Sequence, residues 1–215
     1  MNFSQLFERR PELSRCEIDL RDAIDVLRDA FAAGNKLLIC GNGGSAADCE
    51  HIVAELMKGF QLPRPISEED AKKLSQEGDR GAQIATRLQG ALPAISLVSH
   101  VALATAIAND ITDEMVFAQQ VYALGKPGDV LLAISTSGNS KNVIAAVTTA
   151  KAFGLRTIAL TGARGGQLAD ITNVAIRVPA ESVIEIQELH LPVYHWLCIE
   201  LESHFFGSAR PTNAY

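Results

Sequence analysis

The sequence predicts an α/β fold: a three-layer sandwich around a five-stranded parallel sheet, with N-terminal helices and a long C-terminal helix. Three observations lead there. Five short apolar runs show no alternation of apolar and polar residues, and helical segments separate most of them. Strands buried on both faces of a parallel sheet look like this, because crossover helices cover each face. The runs are also only four or five residues long and bounded by turn residues, too short for buried helices.

Taken in order, Leu13, Cys16, Leu20, Ile24, Leu27 and Phe31 recur at spacings of three and four, which predicts an amphipathic helix. Gly34-Asn35 stops it. The first run, Lys36 to Cys40, leads into Gly41-Asn42-Gly43-Gly44-Ser45. The segment Gln61 to Pro93 interrupts the rhythm, being polar, charged and flanked by proline. It reads as a surface insertion with one or two short helices, or as an active-site lid, and Ser67 suits a helix N-cap before Glu68 and Glu69. The remaining runs are Ala94–Val98, Val130–Ile134, Thr157–Leu160 and Val174–Val178, with a helix predicted over Asn142–Phe153. A final helix is predicted from about Ile184 to Phe206; Pro192 inside it removes one backbone bond and is expected to bend it.

The 215 residues suit one domain over 1–215, able to bury a core without disulfides or a structural metal. With 19 basic and 25 acidic side chains the formal charge is −6, and no Lys/Arg-dense stretch is present, which argues against a nucleic-acid partner. Cys16, Cys40, Cys49 and Cys198 form no C-x-x-C pair and no zinc-finger spacing, as expected of a reducing compartment. No apolar run has membrane-spanning length and the polar start is no signal peptide, so the expected location is the cytoplasm.

Two loops each follow a predicted strand and open a helix: Gly41 to Ser45, and Ser135-Thr136-Ser137-Gly138-Asn139-Ser140. Glycines allow close backbone approach, while helix N-terminal amides and serine hydroxyls offer donors to an anion. Ligands of open α/β sheets sit at these strand ends. Neither loop is a Walker A or a G-x-G-x-x-G motif, so no nucleotide is implied. The second, with three serines and a threonine, suits a small phosphate. Plain strand-to-helix turns with good caps would use similar residues, and Ser45-x-x-Asp48 is a capping-box pattern.

On the helix opened by the first loop, His51 and Glu55 are four residues apart, about 40° around the axis, and can address one ion or substrate. The final helix offers Gln187, Glu188, His190 and His195 in apolar surroundings. A buried core histidine is the default for either imidazole, and periodicity does not choose among the four.

CGNGGSAADCEHIVAEL together with AISTSGNS resembles the sugar isomerase (SIS) family of phosphosugar-binding domains, over about residues 15–206. Within it, His51-x-x-x-Glu55 combined with Gln187 and His195 is most similar to the phosphoheptose isomerases. The resemblance implies a flavodoxin-like sheet and an aldose–ketose isomerase joining sedoheptulose 7-phosphate to D-glycero-D-manno-heptose 7-phosphate. It implies substrate contacts at Asn42, Gly43, Gly44, Ser45, Glu55, Asn109, Asp110 and Gln187. Phosphate would be held by Ser135, Thr136, Ser137 and Ser140. It further implies one zinc per subunit on His51, Glu55, Gln187 and His195, with Glu55 and His195 as the acid/base pair. Family members assemble as homotetramers with active sites between subunits. Where the family carries Arg after the glutamate, this chain reads Met57-Lys58-Gly59-Phe60; Lys58 offers a charge one position earlier. Ile184 and Glu185 replace an acidic and a basic residue before Ile186, and the 61–93 insertion is a further departure.

The principal rival is a non-catalytic SIS adaptor that binds a replication initiator, whose segments resemble Ala108 to Glu114. That relative lacks the glutamate and histidine found here at positions 55 and 195. An isomerase for another sugar phosphate and a sugar-ether lyase share the fold. A SIS-type transcription regulator is disfavoured because no helix-turn-helix domain precedes residue 15.

Overall fold

The computed structural model describes residues 3–207; positions 1–2 and 208–215 of the expected domain lie outside them. The chain begins with α1 (Phe3–Arg9), a 3₁₀ turn (Pro11–Cys16) and α2 (Glu17–Ala32). Then come β1 (Leu37–Gly41), α3 (Gly44–Met57), α4 (Glu68–Ser75), α5 (Asp79–Ala85) and β2 (Ala94–Ser96). α6 (Val101–Asp110), a second 3₁₀ turn (Asp113–Met115) and α7 (Val116–Leu124) lead to β3 (Val130–Ile134) and α8 (Lys141–Ala152). β4 (Arg156–Thr161), α9 (Gly166–Ile171), β5 (Val174–Arg177) and α10 (Val183–Phe206) complete it.

All five strands are parallel, in the order β2-β1-β3-β4-β5. The unbroken apolar runs have a direct cause. Leu37 and Ile39 of β1, with Val130, Leu132 and Ile134 of β3, pack beneath α2, α3 and α10. Their neighbours Leu38, Cys40, Leu131 and Ala133 pack on the other face against α7, α8 and α9. β2 is shorter than predicted, pairing with β1 only from Ala94 to Ser96. The first predicted helix starts as the 3₁₀ turn, with Pro11 at its first residue, and all six periodic side chains from Leu13 to Phe31 are buried. Pro192 leaves α10 continuous over its 24 residues.

The 61–93 segment carries α4, capped by Ser67 as expected through its bond from the Asp70 N–H, and α5. Its root is fixed from beneath. Glu202 of α10 accepts the backbone N–H groups of Phe60, Gln61 and Leu62 and pairs with Arg64 at 2.7 Å. Arg64 in turn donates to the carbonyls of Leu56 and Glu55, capping the C-terminal end of α3. Among the described residues no helix is long and apolar enough to cross a membrane.

Candidate functional site

The strand order places the site. β1 and β3 are adjacent, but the chain leaves β1 towards β2 and leaves β3 towards β4. The two expected loops therefore flank the crevice where connections diverge, the general ligand position in open parallel sheets. They are joined there by a reciprocal amide pair: Asn42 Nδ2 donates to Asn142 Oδ1 at 2.9 Å, and Asn142 Nδ2 to Asn42 Oδ1 at 3.0 Å. Asn142 had no distinguishing signal in the sequence, since its partner lies 100 residues away. A cavity of about 530 Å³ opens beside this pair, lined by Asn42, Asp113, Glu114, Ser140, Lys141 and Asn142.

In the second loop the Ser135 and Ser140 hydroxyls are 3.0 Å apart, and Ser137 Oγ accepts the Asn139 N–H. Ser140 is the N-cap of α8 yet makes no side-chain cap bond, which leaves its hydroxyl turned to Ser135. Thr136 and Ser137 line a second cavity of about 250 Å³ with Gly162, Arg164 and Ile186. A small anion fits such a hydroxyl cluster at a helix N-terminus.

The first loop differs from its capping-box reading. Gly43, at φ 57°, is the N-cap and makes no side-chain cap bond, so α3 begins at Gly44. The positive φ turns the chain before Ser45 arrives, and Ser45 lies buried inside the first turn. At Gly44 a Cβ would collide with the Gln187 amide; glycine is what lets Gln187 of α10 close over the start of α3. Asn109 and Asp110 end α6 on the surface, where Asn109 Nδ2 bonds Asp110 Oδ1 at 2.8 Å. The structure gives them no hydrogen bond to either loop.

Along α3, two turns beyond Gly44, three of the expected residues meet. His51 Nε2 lies 3.4 Å from Glu55 Oε1 and 3.4 Å from His195 Nε2. Phe60 stacks obliquely on His195, with ring centroids 5.4 Å apart. Burial, with His51 beside it, lowers the His195 imidazole below its ordinary pKa, and Glu55 opposes the shift only in part. Lys58 does reach the carboxylate: its Nζ lies 3.0 Å from Glu55 Oε2. The choice left open on α10 also resolves. Glu188 is exposed. His190 is fully buried, and that burial pushes its pKa down to about 4, as for a neutral core histidine.

The donor set can be tested against zinc. A tetrahedral zinc with bonds of about 2.0–2.1 Å holds its donors about 3.3–3.4 Å apart. Both separations from His51 Nε2 meet that spacing, and two imidazoles with one carboxylate form a common catalytic ligand set with one position open. The donor types and these two spacings fit, but no three His, Cys, Asp or Glu side chains among the described residues close on a single point. The expected fourth ligand is not with them. Gln187 lies eight residues before His195, about 12 Å along α10, at the level of the first loop beside Gly44.

Two further residues stand at this centre: Tyr194, not singled out from the sequence, and Asp48, read there only as part of a cap. Tyr194 Oη lies 3.0 Å from His51 Nδ1 and donates to Asp48 Oδ1 at 3.2 Å. The available signal was slight: Asp48 sits three residues before His51 on the same helical face, and Tyr194 is a polar tip on the buried face of α10.

Comparison with known proteins identifies the family. The SIS domain family matches over residues 12–91 and 79–162. A phosphoheptose isomerase of Geotalea daltonii is 42% identical over 187 residues, covering 87% of this chain and 84% of that protein. One from Thiobacillus denitrificans is 44% identical over 185 residues, covering 85% and 81%. The solved phosphoheptose isomerase of Neisseria gonorrhoeae superimposes with a TM-score of 0.73 at 33% identity, covering 94% of this chain and 95% of its own. This chain belongs to the SIS domain family and, within it, to the phosphoheptose isomerases.

Proposed function

We propose that the protein interconverts sedoheptulose 7-phosphate and D-glycero-D-manno-heptose 7-phosphate by moving a proton between C1 and C2 through an enediol. What carries this reading is the meeting of Glu55, His51 and His195 about 10 Å along α3 from the glycine-rich loop, which the Asn42–Asn142 pair joins to the serine-rich loop at the sheet's switch point. That separation suits a sugar whose phosphate and reacting carbons lie at opposite ends. The relatives' identity supports the same reaction.

In this scheme Glu55 takes the proton from carbon and returns it at the neighbouring carbon. His195, kept neutral by burial, accepts and returns protons at the oxygens. Lys58 pairs with Oε2 of Glu55. Phosphate is held by Ser135, Thr136, Ser137 and Ser140 with the N-terminal amides of α8. Zinc, when bound by His51, Glu55 and His195, supplies a Lewis acid for the carbonyl and the charge of the enediolate.

Gln187, placed by Gly44 beside the loops, is assigned to the substrate in its own chain; it joins a metal set only from another copy. A homotetramer with active sites between subunits is consistent with this. The apolar cavity of about 580 Å³ between α6 and α7, with Val101 and Leu103 exposed at it, offers a face for contacts between copies. The free, buried cysteines support a reducing, cytoplasmic setting.

The direct test is turnover of sedoheptulose 7-phosphate by the purified protein, before and after chelation and again after zinc is restored. Conversion that falls on chelation and returns with zinc is the expected result. Unchanged turnover after complete metal removal would take zinc out of the mechanism. No turnover at all, with sugar phosphate still bound, would favour another sugar or the adaptor reading. A second measurement addresses the phosphate loop. Ser137→Ala and Ser140→Ala should each raise KM, roughly 10-fold or more for a lost hydrogen bond to an anion, with kcat little changed. A selective fall in kcat would overturn that division of labour.

A further inference from the structure

We infer that Tyr194 is a positioning residue that locks the His51 ring with its proton on Nδ1 and its Nε2 lone pair aimed into the site; the inference rests on the isomerase reading above. Asp48, as a carboxylate, only accepts, and the Tyr194 hydroxyl has one proton to give. That proton goes to Asp48 Oδ1, 3.2 Å away. The phenol oxygen then faces His51 Nδ1 at 3.0 Å with only lone pairs, so the ring nitrogen must be the donor. A neutral imidazole protonated at Nδ1 is bare at Nε2.

The consequence lies at the other ring nitrogen. His51 Nε2 points at Glu55 Oε1 and at His195 Nε2, each 3.4 Å away. With Nε2 bare, a lone pair faces a carboxylate across a gap that holds no proton of either group, the arrangement a cation stabilises. With the proton on Nε2, the same gap would close as an ordinary hydrogen bond and His51 would be lost as a ligand. Outer hydrogen bonds of this kind fix the tautomer and orientation of metal-binding imidazoles, and their loss commonly weakens metal affinity about 10- to 100-fold. The Tyr194 hydroxyl bonds Asp48 and His51 and acts through His51.

Tyr194→Phe keeps the ring that packs edge-on against both His51 and His195 and removes only the hydroxyl. Asp48→Asn is the second variant, keeping the phenol and removing the acceptor that claims its proton. Two readouts are made on the full-length protein. In the metal-free state, nitrogen-15 shifts of His51 should show protonated Nδ1 and bare Nε2 in the wild type, and a shift towards protonated Nε2 in Tyr194→Phe. In a chelator competition, zinc affinity should fall about 10- to 100-fold in Tyr194→Phe and in the same direction in Asp48→Asn. A wild-type His51 protonated at Nε2, or zinc affinity unchanged in both variants, would overturn the assignment. If the wild type binds no zinc, the metal reading fails on its own. The metal-free tautomer measurement still decides what Tyr194 does.

Discussion

Glu55→Gln is expected to lower kcat on the sugar phosphate by about 100-fold or more, since a positioned general base contributes roughly 10²- to 10⁴-fold. Binding should persist. The substitution conserves volume on a side chain that is only 12% exposed, and the amide can still bond toward His51. It also breaks the pair with Lys58, but that lysine is 57% exposed and recovers its hydration, so stability should hardly move. Loss of the base can thus be separated from loss of the ion pair. Lys58→Gln removes the same pair while sparing the carboxylate, and it should retain most of the turnover that Glu55→Gln loses. Near-normal kcat in Glu55→Gln would remove Glu55 from the chemistry whatever the zinc result. Equal losses in the two variants would mean that the pair, rather than the base, is what matters.

The parts of this site that could be read in the sequence are those fixed by local rules. The β1 and β3 loops were legible because a strand end, glycines and hydroxyls occupy adjacent positions. His51 and Glu55 were legible because one helical turn links them. What the sequence could not decide depended on packing between distant elements. His190 and His195 look alike along α10, and only the way that helix lies on the sheet buries the first and turns the second towards α3. The Ser45-x-x-Asp48 pattern misled for a local reason, because Gly43 at positive φ starts the helix two residues early. Asp48 is freed by that shift to meet Tyr194, which approaches from 146 residues away. Gln187 was grouped with His195 by resemblance, and helix rise separates them by about 12 Å within one chain.

Arg64→Met should be the most destabilising of the substitutions considered, costing about 3–5 kcal/mol, or roughly 6–20 °C in Tm for a chain of this size. Arg64 and Glu202 are 0% and 1% exposed at the side chain, so removing the guanidinium leaves a carboxylate that water cannot reach. Burial alone would raise the pKa of Glu202. Bonds from the Phe60 and Gln61 amides and from Arg64 outweigh it and hold the carboxyl below its ordinary value. A depressed folded-state pKa gives stability that is present above the ordinary carboxylate pKa and is lost as pH falls through the lowered one. Wild type should therefore lose part of its stability in acid, and Arg64→Met should lose less there, having less of that term to lose. Many buried ion pairs can be replaced together by apolar residues at little cost. This one should resist, because Glu202 also satisfies three backbone N–H groups and Arg64 two carbonyls. Arg64→Met combined with Glu202→Met orphans four of the five, since the Leu56 carbonyl keeps the Leu92 N–H, and should be no more stable than the single variant. Recovery of wild-type Tm in the double variant would show that those backbone groups find other partners. The anchor also bears on catalysis, since the same bonds hold the Glu55 end of α3 and seat Phe60 against His195. Activity of Arg64→Met, measured well below its Tm, should accordingly fall in kcat more than in KM. The phosphate loop opens α8 rather than α3, and none of these bonds reaches it.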